Sequence, residues 1–388
     1  MPLGMTQSIS RLASTIARLC GVMVLLLIAP LIGAYLVSSS LDTYLNTYLV
    51  FPPTTIYMPQ PGFYWPVFVV LLLIIIATLT PFLVRIIRVK AVASGKLPCG
   101  KPFPWWGWLG CALIGIGWVV AWARYPALEA WQRYDFFALW AGFILLMNSL
   151  SYKRTGDCLL LSHPGRFLML FPLSALFWWF FEYLNLFANN WYYLGYKQTT
   201  ALEYALSATL SFSTVLPAVI CCSHWLASFQ RLDQAFTHCW PVRPPYPRIL
   251  ALIAVVATLA SLVGLGGWPR FFFPLTWVSP LVILISIQVL SGQETIFTPL
   301  MRGDWRPVCL PALAGLLCGF CWELWNFGSI DHWEYSIPYV SRFYLFEMPI
   351  LGYSGYLPFG IQCMLAASLL SATPVSKIEG LLSKGQGN

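Results

Sequence analysis

Two glutamates in this chain stand where hydrocarbon is expected, each with an asparagine three residues on. Phe181-Glu182-Tyr183-Leu184-Asn185 is followed by Trp191 and Tyr193, and Trp322-Glu323-Leu324-Trp325-Asn326 is followed by Trp333 and Tyr335. An ionisable group at membrane depth is expensive and marks a functional candidate. Positions i and i+3 share a helix face, so Glu182 and Asn185, extended by Asn189, form one polar stripe, and Glu323 and Asn326 form its counterpart. Desolvation favours the neutral form of such a carboxyl, and a neutral carboxylic acid is a usable general acid that the neighbouring Asn is placed to orient. The alternative reading is that each Glu glues helices together through hydrogen bonds.

A second carboxyl follows each motif across a short loop. Glu203 opens the next apolar run in the first case, and Glu347, in Phe346-Glu347-Met348-Pro349, opens it in the second. Between them lie Asn189-Asn190-Trp191-Tyr192-Tyr193 and Asp331-His332-Trp333-Glu334-Tyr335. These aromatics suit either an interfacial belt or the wall of an apolar pocket that stabilises a cation through its ring faces. His332 reads as a surface histidine beside Asp331, or as a proton shuttle.

The elements that must position these groups are membrane helices. Of the residues, 59% are hydrophobic and 9% charged, far below the roughly one quarter of a soluble domain. Apolar runs predict ten spans, near 19–38, 64–87, 107–123, 136–150, 167–188, 203–222, 249–267, 274–291, 308–328 and 347–370. With the N-terminus inside, 17 of the 22 Lys and Arg fall in cytoplasmic segments, including Arg11, Arg18, Lys96, Lys153, Arg243 and Arg302. That asymmetry predicts a plasma (bacterial inner) membrane protein with both termini cytoplasmic. The first run, after Arg11 and Arg18, reads as a retained signal anchor. The net charge of +8 is spread over short loops and forms no stripe for nucleic acid.

Glu182 to Glu323 and Asn185 to Asn326 are each 141 positions apart, and Trp191 to Trp333 is 142. Phe136 and Trp140 find Phe273 and Trp277, and Gly156-Asp157 finds Gly303-Asp304. Such regularity predicts an internal duplication. The expected fold is an all-α integral membrane protein in which two parallel four-helix repeats follow two N-terminal helices. The boundaries are 1–104 for the first two helices and a basic loop, 105–222 for the first repeat, 223–246 for a linker, 247–370 for the second repeat, and 371–388 for a tail. An even number of spans per unit puts both motifs at one leaflet, the outer one.

A span, Trp-x-Tyr, a short loop, then a carboxylate entering the next span, in tandem, resembles the integral-membrane lycopene cyclase domains of carotenoid-making bacteria and fungi. The likeness covers residues 178–217 and 320–360. That family carries a Pro-x-Glu-Glu motif, matched here by Glu203 within Leu202-Glu203-Tyr204 and by Glu347 before Met348-Pro349. The resemblance implies protonation of a polyene in an isomerase- or lyase-type reaction. Neither position has the doubled acid, the Pro follows Glu347, and each unit has four spans. The second half also resembles bacterial polytopic membrane proteins, which implies no activity.

Other patterns carry less. Cys318-Gly319-Phe320-Cys321 has redox spacing but sits in an apolar run, where packing by small residues is the simpler reading. Gly315 and Gly319 fit a close helix contact. Four His without paired spacing argue against a metal site, no cofactor motif is present, and no loop is long enough for a soluble catalytic domain. Two functions remain. One is an enzyme acting on an apolar isoprenoid, carotenoid or lipid through Glu182, Glu323, Glu203 and Glu347, with Asn185, Asn326, Trp191, Tyr193, Trp333, Tyr335 and His332 around the substrate. The other is a transporter, or a lipid-handling or assembly protein, with a polar pocket between the repeats. Its partners are then membrane lipids or an apolar small molecule, with no nucleic acid; protein partners are left open.

Overall fold

The computed structural model describes residues 21–38, 40–89, 100–195 and 200–370. Arg11 and Arg18, the basic loop through Lys96, and the tail from 371 lie outside the described residues. Among the described residues the architecture is all-helical apart from two small two-stranded sheets. In chain order the main helices are α1 (Gly21–Val37), α2 (Trp65–Arg88), α3 (Trp105–Trp122), α4 (Asp135–Thr155) and α5 (Pro164–Ala188). Strand β1 (Trp191–Leu194) leads to α6 (Ala201–Phe212) and α7 (Val215–Ala227), and then to α8 (Pro247–Gly267), α9 (Leu275–Leu290) and α10 (Arg306–Gly328). The chain closes with β2 (His332–Tyr335), the pair β3 (Tyr344–Leu345) and β4 (Met348–Pro349), and α11 (Tyr356–Ser368).

Local chemistry sets these ends. Pro164, Pro247 and Pro307 stand in first turns, where their missing N–H costs nothing. Gly156 after α4 and Asn189 after α5 take the left-handed conformation that ends a helix. Among the described residues, seven helices are long and apolar enough to cross a membrane, with α6 and α7 together counted as one. α1 and α9 are shorter apolar helices. Helix α2 buries only Phe68 and exposes Val69, Val70, Leu73, Ile74 and Ile76, a surface that needs lipid around it.

Three expected spans come out differently. The short one at 136–150 is a full helix of 21 residues, Asp135–Thr155. The one at 203–222 is broken after Phe212. Ser174 of α5 serves the break: its hydroxyl donates to the Phe212 carbonyl at 2.5 Å and accepts from the Leu216 N–H at 3.0 Å. A helix can break in hydrocarbon only where the freed backbone groups find such partners. The one at 347–370 is helical only from Tyr356, because Phe346 takes a positive φ, Pro349 ends β4, and residues 350–355 form a 3-10 turn. Glu347 therefore lies in a hairpin turn and does not open a span.

Helices cross closely where glycine removes the side chain. Gly315 of α10 lies against the Tyr356 carbonyl and Gly360 of α11, and Gly110 of α3 faces Gly142 of α4. The two halves interlock through aromatic rings. Trp140 of α4 lies 4.8 Å from Trp322 of α10, and Trp277 of α9 stacks 5.6 Å from Phe181 of α5.

Candidate functional site

The two Trp-x-Tyr segments are β1 and β2, and they pair with each other. The antiparallel register sets Trp191 opposite Tyr335 and Tyr193 opposite Trp333, so each segment meets the reverse of the same pattern. This sheet lies at one end of the bundle, and the loop before α2 runs over it. Thr55 donates to the Trp191 carbonyl at 2.9 Å, and Ser336 donates to the Met58 carbonyl at 2.9 Å.

Each asparagine holds its strand. Asn185 Nδ2 donates to the Trp191 carbonyl at 2.7 Å, while its Oδ1 accepts from the N–H of Asn190 at 2.8 Å and of Trp191 at 3.4 Å. Asn326 Nδ2 donates to the Trp333 carbonyl at 2.7 Å and its Oδ1 accepts from the Trp333 N–H at 2.8 Å. The expectation that Asn orients Glu is corrected here. A side-chain amide carries both a donor and an acceptor, so it substitutes for a neighbouring strand, and backbone groups claim it first.

The glutamates are oriented by aromatics instead. Glu182 is 1% exposed, and its Oε1 accepts from the Tyr193 hydroxyl at 2.5 Å, Trp178 Nε1 at 2.9 Å and Trp191 Nε1 at 3.2 Å. Glu323 is fully buried, and its Oε1 accepts from the Tyr356 hydroxyl at 2.5 Å and the Tyr335 hydroxyl at 2.7 Å, the latter also taking the Trp333 Nε1 proton at 2.8 Å. The residue four before Glu182 is Trp178, a donor to it; four before Glu323 stands Gly319. A Cβ there would overlap the Tyr356 ring, so the glycine admits Tyr356 as the replacement donor. Among the described residues Glu323 Oε2 has no hydrogen-bond partner, a cost that a merely structural site has reason to avoid.

Both tyrosine sets front one cavity between the halves, with about 980 Å³ of empty space including the open region beyond its mouth. Its wall includes Trp178, Trp191, Tyr193, Trp277, Trp322, Trp333, Tyr335 and Tyr356. Gln132, Arg133, Asp135 and Asp331 add polar groups, and Tyr204, Ser207, Ser211 and Phe212 of α6 close one side. Glu182 and Glu323 are not in the wall. They stand behind it, reached through tyrosine hydroxyls.

The remaining candidates lie elsewhere. Glu203 closes the N-terminus of α6 in a capping box, accepting from the Thr200 N–H at 2.9 Å while its own N–H donates to Thr200 Oγ1 at 3.3 Å. It is exposed and absent from the cavity wall. His332 Nε2 lies 3.7 Å from Glu334 Oε1, and Glu334 Oε2 accepts from the Tyr192 hydroxyl at 2.5 Å. Glu347 belongs to this surface group. Burial and the Glu334 charge raise its pKa above the ordinary glutamate value, and His332 opposes them. Folded Glu347 thus keeps its proton to higher pH than in the unfolded chain, so its contribution is complete below the ordinary glutamate pKa of about 4.3 and is lost as pH rises through and above it. Melting curves across that range should slope downward less in Glu347→Gln than in the parent chain; equal slopes would remove Glu347 from this account.

Trp178, Trp277, Trp322, Tyr356 and Asp135 are cavity residues that the motif reading passed over. Trp277 was visible only as a spacing landmark. Among the described residues no group of His, Cys, Asp and Glu could hold a metal ion. Fold and site together define a polytopic helical membrane protein whose aromatic cavity is backed by buried carboxyls. Compared with known proteins, the chain matches no family model, no curated protein and no solved structure.

Proposed function

We propose that this chain is a membrane-embedded enzyme that moves protons to and from a lipid-like amphiphile held in the aromatic cavity. The observation that carries the reading is the paired Tyr–Glu hydrogen bond, Tyr193 to Glu182 and Tyr335 and Tyr356 to Glu323, with each phenol on the cavity side. The phenol gives its proton to the substrate as the carboxyl behind, protonated and with the Tyr–Glu hydrogen bond reversed, restores it. The carboxylate is left ionised, and the reverse transfer from another substrate carbon or oxygen returns the proton, as an isomerisation requires. Glu203 and Glu347, the positions matched to the cyclase motif, take no part in this scheme.

The matched bonds of Asn185 with Asn326 and of Glu182 with Glu323 support reading 105–222 and 247–370 as parallel repeats about an axis along the membrane normal. The basic-residue asymmetry supports cytoplasmic termini, with the cavity toward the outer leaflet. Cysteines introduced at Gly195 and at Arg302 should then label from opposite sides of intact cells, the first from outside. Labelling of both from one side would reject that orientation.

A second reading has one observation in its favour. The α6–α7 break borders the cavity, and transporters place their sites on broken helices. The lipid profile of membranes containing Glu182→Gln, Glu323→Gln or both separates the two. An acid–base enzyme loses its product in both single variants at normal protein level, whereas unchanged lipid products from the double variant would reject the enzyme and leave a carrier or binding role.

A further inference from the structure

Asp135 is the first residue of α4, is 9% exposed, and belongs to the cavity wall. Its carboxyl faces the backbone N–H of Phe136, and among the described residues no side-chain cation lies within ion-pair distance of it. Asp331, on the same wall, is near enough for the two charges to interact. The N-terminal dipole of α4 offsets part of the cost of burying this charge, but a carboxyl shut inside an aromatic chamber still lacks a counter-ion.

The wall around it is of an unusual kind. Of the 19 lining residues among those described, 11 are aromatic and only Ala208 and Val215 are aliphatic, whereas a chamber for acyl chains would be built mostly of aliphatic side chains. Ring faces attract cations through their quadrupole, Trp most strongly, and aromatic walls beside a carboxylate are how ammonium groups are recognised. A neutral polyene would satisfy the rings and leave the buried Asp135 carboxylate without a counter-ion. Among the described residues the one basic group on the wall, Arg133, is half-buried and two residues before Asp135, so it can meet an anionic group on the same ligand.

From this we infer that the cavity receives the ammonium group of a cationic or zwitterionic amphiphile, with Asp135 as its counter-ion and the indole faces as its walls. The inference rests on the reading above that this cavity is the substrate site, and it names the substrate's chemical class. It makes Asp135 a binding group, separate from the proton-moving pairs.

The full-length protein in a neutral maltoside detergent provides the test, with decyltrimethylammonium as the probe and, as control, its uncharged analogue in which carbon replaces nitrogen. Binding is followed by tryptophan fluorescence, since five tryptophans line the chamber. The parent chain should bind the ammonium probe at least tenfold more tightly than the neutral one. Asp135→Asn should bring the two affinities together while leaving the neutral probe's affinity and the melting temperature near those of the parent. If Asp135→Asn does not fold, Asp135→Glu, which keeps the charge, should retain the preference. No preference in the parent, or an undiminished preference in Asp135→Asn, would overturn the inference. Either result could stand beside a full lipid-product defect in Glu182→Gln, so the proton scheme and this assignment fail separately.

Discussion

Removing one oxygen, in Tyr193→Phe, is expected to lower product formation by roughly 10²- to 10⁴-fold, the range that a positioned acid or base contributes. The hydroxyl is the only part of Tyr193 that can carry a proton between the cavity and Glu182, 2.5 Å away. The ring stays, so the wall keeps its shape. Glu182→Gln should cost about the same, because it leaves a phenol with no acid to restore it. The double variant should be no worse than either single one, since groups acting as one unit are strongly non-additive. Turnover of extracted lipid in detergent, normalised to folded protein, is the measurement. Multiplicative losses would mean that the two residues act independently, and the relay would be rejected.

The largest effect on stability is expected at the asparagines. Asn326→Ala leaves the Trp333 N–H and carbonyl without the partners they have at 2.8 and 2.7 Å, and each unpaired buried backbone group costs roughly 1–3 kcal/mol. A loss of about 2–4 kcal/mol follows from that principle, allowing for water at the bundle end. Asn185→Ala should cost about as much: Thr55 still donates to the Trp191 carbonyl, but the Asn190 and Trp191 N–H groups lose their acceptor. Asn326→Asp keeps the acceptor but sets a second oxygen against the Trp333 carbonyl, so it should not rescue. Thermal unfolding in detergent decides the matter: an Asn326→Ala protein as stable as the parent would show that this amide does not hold the strand.

The contrast between these two effects shows what could be read in advance. The spacing of Glu, Asn and Trp-x-Tyr was legible because it occurs twice, and hydrocarbon makes any carboxyl conspicuous. The role of Asn was misread because helix periodicity tells which residues share a face, not which of them the following backbone will claim. Tyr356 and Trp277 reach the cavity only through the packing of α9 and α11, which no local pattern encodes. Gly319 was a signal for Tyr356, since a glycine at the position of Trp178 asks what fills the space. Ser213-Thr214 within an apolar run was the corresponding hint of the α6–α7 break. Asp135 opens an apolar helix, and only its distant ring neighbours set it apart from an ordinary first-turn residue.

The β1–β2 pair has an implication for how such a molecule could arise. A Trp-x-Tyr strand laid antiparallel on a copy of itself puts Trp opposite Tyr twice, which is the register seen here between Trp191–Tyr193 and Trp333–Tyr335. The segment is self-complementary in the sense of an isologous contact, where one surface serves both partners. A chain half this length, carrying one Glu, one Asn and one such strand, could close an equivalent chamber by homodimerising. In one polypeptide such a closure does not depend on protein concentration in the bilayer, and its two sides differ: Trp178 donates to Glu182, whereas Gly319 makes room for Tyr356 to donate to Glu323.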